Sequence, residues 1–342
     1  MQYARLGNTG LVVSRLAFGA MTFGSGEGAF GHISKVRQPD ANDLVARALA
    51  AGVNHFNTAD GYAEGQSEVM LGKALGARRG DVVIATKVGM RVSASILHSG
   101  LSRRHILASA EGSLKRLGTD YIDVYLAHRP DPHAPLEETL DAFDLLLRHG
   151  KVRYVGFSNW PAWLAAKAVG IQRARGYQPF SACEMYYSLV GRDLEHELVP
   201  FAVDAGVGIT VWSPLAGGFL AGKYTRQDPT GAGGRLNDFD LIPFDREKGY
   251  DLIEVLKQMA AAHGATPAQL AIAWLLSRRY VSSVLIGASR ASQLDDNLKA
   301  AGVSLSESDQ ARLDEITVPP APYPTWFNQR IVDRVVKEAL GA

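Results

Sequence analysis

Eight short apolar runs, each followed by an amphipathic stretch, constrain this 342-residue chain more than any other feature. The runs are Leu16–Phe18, Val53–Phe56, Val82–Ala85, Val124–Leu126, Val152–Val155, Ser181–Cys183, Ile209–Val211 and Val284–Ile286. Short runs rich in β-branched residues suit parallel strands covered on both faces. The stretches between them carry helix start and stop chemistry. Asp40 is placed to cap a helix bearing Leu44, Val45, Ala48 and Leu49 that ends near Gly52. Ser102 precedes Ile106, Ala110, Leu114 and Leu117, an apolar stripe at helical spacing that stops at Gly118. Thr266-Pro267-Ala268-Gln269 is a capping box with proline at the first helical position. Eight such units imply an α/β fold, a closed (β/α)8 TIM barrel of roughly 250 residues. A doubly wound sheet gives the same alternation, and the closed barrel is the favoured reading. The surplus length falls in definite places. Residues 2–14, around Gly7-Asn8-Thr9-Gly10, read as an N-terminal β-hairpin plugging the barrel floor. Residues 213–248 read as a long loop after the seventh strand, and a C-terminal helix begins near Ser306. A tail rich in proline and aromatic residues, Val318 to Phe327, follows it. No interdomain linker interrupts the pattern, so residues 1–342 are read as a single domain.

Composition removes several function classes. With 36 Lys and Arg against 35 Asp and Glu, the net charge is +1, which gives no electrostatic footprint for nucleic acid. The single cysteine, Cys183, has no intramolecular partner and suits a reducing cytosol. The opening MQYARLGNTG lacks the apolar centre of a signal peptide. No uncharged run approaches the about 20 residues needed to cross a bilayer. The expectation is a soluble, cytoplasmic protein with neither nucleic acid nor membrane as partner.

In a (β/α)8 barrel, chemistry sits where strands end and loops enter helices. Asn57, Tyr62, Lys87 and His128 all follow apolar runs in that way. Taken singly, Lys87 is a lysine snorkelling to solvent, Tyr62 a packing aromatic and His128 a satisfied loop histidine. Lysine is rarely buried without a partner, however, and the three occupy the same topological position on three consecutive strands. A phenol, an ammonium and an imidazole gathered there form a proton-delivery device.

The chain resembles the aldo-keto reductases over nearly its full length. The resemblance is carried by Phe56-Asn57-Thr58-Ala59-Asp60-Gly61-Tyr62, Gly65-Gln66-Ser67-Glu68, Thr86-Lys87, Ser113–Gly118, Tyr121-Ile122-Asp123-Val124, His128-Arg129-Pro130-Asp131, Gly156-Phe157-Ser158-Asn159, Trp212-Ser213-Pro214-Leu215 and Gly287-Ala288-Ser289. It implies a (β/α)8 barrel that binds NADPH without a Rossmann domain and reduces an aldehyde or ketone to an alcohol. Tyr62 would then be the general acid toward the carbonyl oxygen. A free phenol has a pKa near ~10, and an adjacent ammonium, Lys87, favours its phenolate. His128 would orient the carbonyl and donate a hydrogen bond to the growing charge. Asn57 stands where the family places an aspartate beside the lysine. An amide still accepts from Lys87 but supplies no charge, so the expectation is a working reductase with an altered pH profile. Asp60 has no matching role in the family motif.

On the cofactor side, the resemblance gives Ser158 and Asn159 to the nicotinamide carboxamide and Trp212 to its ring face. Glu184 stands where the family usually has a glutamine against that carboxamide; when ionised it accepts but cannot donate. Ser213 to Gly218, with Leu215 and Gly217, offers backbone N–H groups suited to a pyrophosphate. Ser289 and Arg290, at a strand-to-helix junction, suit a 2′-phosphate and favour NADPH over NADH. Gln293 and Asn297 match adenine-contacting positions, with Asp296 in place of a more frequent glutamate. Gly19, Met21, Thr22 and Lys223 complete the expected cofactor contacts.

Phe23, Tyr62, Met90, Trp160 and the Trp326-Phe327 tail are expected to line an apolar pocket for a neutral, fairly bulky small-molecule carbonyl. Gly24-Ser25-Gly26-Glu27-Gly28-Ala29 fits a dinucleotide-binding pattern, but no amphipathic helix begins there, so it reads as a flap. His128, Asp131 and His133 have loose ligand spacing with no converging cluster, and no metal is expected. The family also includes potassium-channel β subunits, which this chain resembles around Gly65 and Ser67-Glu68-Val69. An NADPH-binding regulatory or partner-binding module with weak catalysis is therefore the alternative. A homo-oligomer stays open.

Overall fold

The computed structural model describes residues 1–26, 31, 33–231, 235–237 and 240–341. Two short antiparallel strands, β1 (Tyr3–Arg5) and β2 (Val12–Ser14), form the N-terminal hairpin. Eight parallel strands then close on themselves: β3 (Leu16–Gly19), β4 (His55–Asn57), β5 (Val83–Val88), β6 (Ile122–Ala127), β7 (Val152–Ser158), β8 (Ala182–Tyr186), β9 (Gly208–Trp212) and β10 (Val281–Gly287). Each pairs with its neighbour in chain order, and β10 returns to β3, with Val284 opposite Leu16. All eight apolar runs are strands of one closed barrel, and the doubly wound alternative is excluded.

Helices cover the outside: α1 (Gln38–Ala50), α2 (Gln66–Leu75), α3 (Arg103–Leu117), α4 (Leu136–Arg148), α5 (Ala162–Ala174), α6 (Leu198–Ala205), α7 (Arg246–His263), α8 (Pro267–Leu276) and α9 (Ala291–Leu298). α10 (Glu307–Thr317), α11 (Thr325–Arg330) and α12 (Arg334–Ala339) follow the barrel. Ser102 caps α3 by accepting from the His105 N–H, and the helix stops at Gly118 in the left-handed conformation. The Thr266–Gln269 capping box opens α8, and a second one, Ser306 with Asp309, opens α10. One cap differs from expectation. α1 starts at Gln38 with Pro39 in its first turn, so Arg37 is the N-cap and Asp40 lies inside. Proline pre-sets the helical φ at the first turn and wins over the side-chain cap.

Two apolar layers follow from the strand alternation. Outward-facing Phe18, Phe56, Ile84, Tyr125 and Val155 meet the helices in the main core. Inward-facing Val83, Ala85, Val124, Leu126 and Ala182 fill the barrel, with Leu6 and Val13 of the hairpin region packed below them. The hairpin does seal the floor. Gly7 sits at φ 58° so close to β8 and β9 that a Cβ there would lie 2.5 Å from the Gly206 carbonyl and the Gly208 amide. The open end of the barrel is thus the end where β4, β5 and β6 run into their loops. Among the described residues, no helix is long and apolar enough to cross a membrane.

Candidate active site

Strand register brings the polar residues together. Asn57 pairs with Ala85 across β4 and β5, Lys87 pairs with Leu126 across β5 and β6, and His128 follows directly on β6. Tyr62 arrives on a one-turn 3-10 segment after β4. Ala63 (φ 46°), Glu64 (φ 56°) and Gly65 (φ 86°) are all left-handed, so the chain reverses sharply just after the tyrosine. Two consecutive non-glycine residues in that region store strain, which fixes where the phenol points.

Lys87 is fully buried, and its ammonium lies 2.6 Å from Asn57 Oδ1, 3.0 Å from the Thr58 carbonyl, 3.0 Å from Glu184 Oε1 and 3.3 Å from Tyr62 Oη. Asn57 turns its amide nitrogen the other way and donates to Glu184 Oε2 at 2.6 Å. Burial by itself disfavours the ammonium, but Glu184 and then Tyr62 outweigh it and hold Lys87 above the usual lysine range. The His128 ring stands edge-on to Tyr62 with centroids 5.6 Å apart. Burial first, and then the charges of Lys87 and Arg129, push the imidazole well below its usual range, so it is neutral at neutral pH.

Asp60 does not join this set. Its carboxylate turns to the Ser109 hydroxyl of α3, and one oxygen has no hydrogen-bond partner. Burial raises it to about 7, helped by Glu68 and opposed by Ser109 and Arg116. Next to it, Thr86 and Arg116 both donate to the buried Glu68, at 2.6 and 2.7 Å.

The other expected residues surround the barrel mouth from the β7 to the β10 side and across to β3. Ser158 ends β7 and donates to the Glu184 carbonyl. Asn159, at φ 58°, donates to the His128 carbonyl and accepts from the Trp212 indole at 3.0 Å. Ser213, Ala216, Gly217 and Gly218 are all left-handed, and the Gly217 N–H meets the Ser213 hydroxyl. Gly218 has nothing within 4 Å of where a Cβ would lie, so there is open space beside it, while its N–H is donated to the Leu215 carbonyl at 2.9 Å. Leu215 and Lys223 belong to the same stretch, the latter with its ammonium near the Tyr224 ring. Thr22 donates to the Ala288 carbonyl and joins the loop after β3, with Met21, to the end of β10, where Gly19 pairs with Gly287. Gln293 folds back onto Ser289, accepting from both its N–H and its hydroxyl beside the exposed Arg290. Asn297 is buried. Asp296 accepts from Gln269 and ties α8 to α9.

The candidate substrate residues divide. Met90 packs against Gly61, the neighbour of Tyr62. Phe23 is fully buried against Phe18, and Trp160 is buried against Phe157 and Phe180, so both rings sit in the layer between strands and helices. Trp326 lies on α11 among Tyr323, Phe327 and Arg330 of the tail. The Gly24–Ala29 flap falls in part outside the described residues.

Sequence reasoning missed the partnership of Glu184 with Lys87 and the strained turn at Ala63-Glu64. The first had a signal: where the resemblance expects an aspartate at 57 and a glutamine at 184, the sequence has Asn57 and Glu184, an exchange that leaves the charge unchanged.

A family model described as the aldo/keto reductase family matches residues 15–318. This chain belongs to that family. A probable voltage-gated potassium channel subunit beta from Arabidopsis thaliana is 38% identical over 89% of this chain and 92% of its own length. A versiconal hemiacetal acetate reductase from Aspergillus parasiticus is 33% identical over 95% of this chain and 99% of its own. An uncharacterized oxidoreductase from Bacillus subtilis is 36% identical over 92% of this chain and 96% of its own. Membership supports oxidoreductase activity.

Proposed function

We propose that this protein is a cytoplasmic NADPH-dependent reductase of neutral, fairly bulky aldehydes or ketones. The observation that carries the reading is the Lys87–Tyr62 contact at 3.3 Å, with the His128 ring edge-on to the phenol. Bound NADPH would supply hydride to the carbonyl carbon. Tyr62 Oη accepts from Lys87 and would give its own hydrogen to the carbonyl oxygen. The phenolate left behind lies beside a permanent cation, and the neutral imidazole of His128 donates to the oxygen as charge develops there.

The residues present fit the cofactor. Left-handed residues at Ser213 and Ala216–Gly218 turn the chain after β9 and leave open space beside Gly218 where a pyrophosphate would lie, and Trp212 offers an aromatic face at the barrel mouth. Ser158 and Asn159 would hold the carboxamide, Ser289 and Arg290 the 2′-phosphate, and Gln293 and Asn297 the adenine. Met90, packed against Gly61, would form one wall of the substrate pocket. Phe23 and Trp160 would shape that pocket from behind.

Following NADPH and NADH consumption against a panel of neutral aldehydes and ketones tests the reading. Turnover of at least one carbonyl, faster with NADPH, is expected. A second reading draws on the 38% identity to a probable potassium channel subunit beta. On that reading the chain is an NADPH-binding partner module. Tight NADPH binding with no turnover of any carbonyl would favour it and overturn the first.

A further inference from the structure

The carboxylate that keeps Lys87 charged comes from the far side of the barrel. We infer that Glu184 on β8 is the positioning residue for the Lys87–Tyr62 pair, with Asn57 on β4 as a neutral bridge between them. The inference deepens the reductase reading and rests on it.

A fully buried ammonium needs an anion, and Asn57 has none to give. Among the described residues, Lys87 Nζ is surrounded by the Asn57 amide oxygen, the Thr58 carbonyl, the Tyr62 phenol and one carboxylate, Glu184, at 3.0 Å. Both Glu184 oxygens are committed, one to Lys87 and one to the Asn57 amide N–H. That second bond decides the orientation of Asn57. Its nitrogen is spent on Glu184, so its oxygen must face the ammonium. Glu184 is therefore directed toward the proton donor, and the nicotinamide carboxamide is left to Ser158 and Asn159. Among the described residues, the other titratable groups near Lys87 are Tyr62, His128, Asp60, whose backbone N–H meets the Lys87 carbonyl while its carboxyl turns away to Ser109, and, deeper in the barrel, His55, whose buried imidazole is pushed down to about 4 by burial and by Lys87 itself. Neither histidine supplies negative charge.

A reciprocal exchange tests the assignment. Glu184→Gln, Asn57→Asp and the double variant are compared with the parent protein in three measurements: turnover against pH, melting temperature against pH without substrate, and NADPH affinity by fluorescence. Glu184→Gln leaves a buried lysine between two amides. Turnover should fall about tenfold or more, within the range general acid catalysis supplies. Its alkaline limb should move to lower pH, because an unpaired buried ammonium gives up its proton more readily. Asn57→Asp sets two carboxylates within a hydrogen bond of each other, and one of them must hold a proton. Its melting temperature should therefore drop, relative to the parent, as pH rises. The double variant returns the carboxylate to β4 and the amide to β8. It should recover turnover and melting temperature toward the parent values.

The inference is overturned if Glu184→Gln changes NADPH affinity while leaving the pH profile and melting temperature in place, which would make Glu184 a carboxamide contact. It is equally overturned if the double variant is no better than the worse single one. Should Glu184→Gln fail to fold, Asn57→Asp and the double variant still decide the matter. If the parent protein turns over no carbonyl, the reductase reading fails alone, and the melting-temperature comparison still tests the pairing.

Discussion

Two buried polar clusters lie back to back across β4 and β5, and they handle charge differently. In front, Glu184, Asn57, Lys87 and Tyr62 pair an anion with a cation and leave the phenol at the barrel mouth. Behind, Glu68 is paired with Arg116, while the Asp60 carboxyl turns to the Ser109 hydroxyl and has one oxygen without a hydrogen-bond partner. The carboxyl groups are buried in both places. The difference is the pairing: Glu184 and Glu68 each meet a cation at hydrogen-bond distance, whereas Asp60 meets a hydroxyl and burial raises it to about 7, with Arg116 opposing electrostatically.

Substitutions that remove one member from each cluster separate these behaviours. Lys87→Met should have the largest effect. It removes the cation beside Tyr62 and leaves Glu184 buried against an amide alone. Turnover should fall by about a hundredfold or more, and stability by about 3 kcal/mol, measured by steady-state kinetics and denaturant unfolding. Arg116→Ala breaks the rear pair instead, leaving Glu68 with only Thr86. Because Arg116 is partly exposed, the loss of stability should be nearer 2 kcal/mol, and turnover should change far less than with Lys87→Met. An equal loss of turnover would erase the distinction between front and back.

Asp60→Asn should have the smallest effect and the clearest sign. With its folded pKa raised from 3.8 to about 7, Asp60 keeps a proton that the unfolded chain has already lost. Its presence therefore lowers stability progressively as pH rises across that window. Asparagine has no proton to lose, so the variant should melt at a higher temperature than the parent above the window and show a flatter curve within it. A parallel shift at every pH would mean that Asp60 is charged throughout.

The barrel was legible because eight apolar runs recur with helix caps between them, a pattern that survives any local error. Where a cap was misplaced, at Asp40, proline set the helix start three residues earlier. The meeting of Asn57, Tyr62, Lys87 and His128 was legible for the same topological reason. The partnership of Glu184 was not, since it joins β8 to β4 and β5 across the barrel, a contact that strand order alone does not specify. The strain at Ala63-Glu64 was also hidden, because neither residue type favours positive φ and only the surrounding fold imposes it. Trp160 and Phe23 show the opposite failure. Large apolar residues near strand ends suit a pocket or a core equally well, and the structure packs both into the core.

The central claim is that Tyr62, held by Lys87, gives its proton to a carbonyl. The most direct measurement is NADPH consumption by Tyr62→Phe and by the parent protein, on a carbonyl the parent reduces, with NADPH affinity measured in parallel. The phenylalanine keeps the ring against His128 and loses only the hydroxyl. The account predicts a fall in turnover of about a hundredfold or more with NADPH affinity unchanged. Turnover within a few-fold of the parent would contradict it.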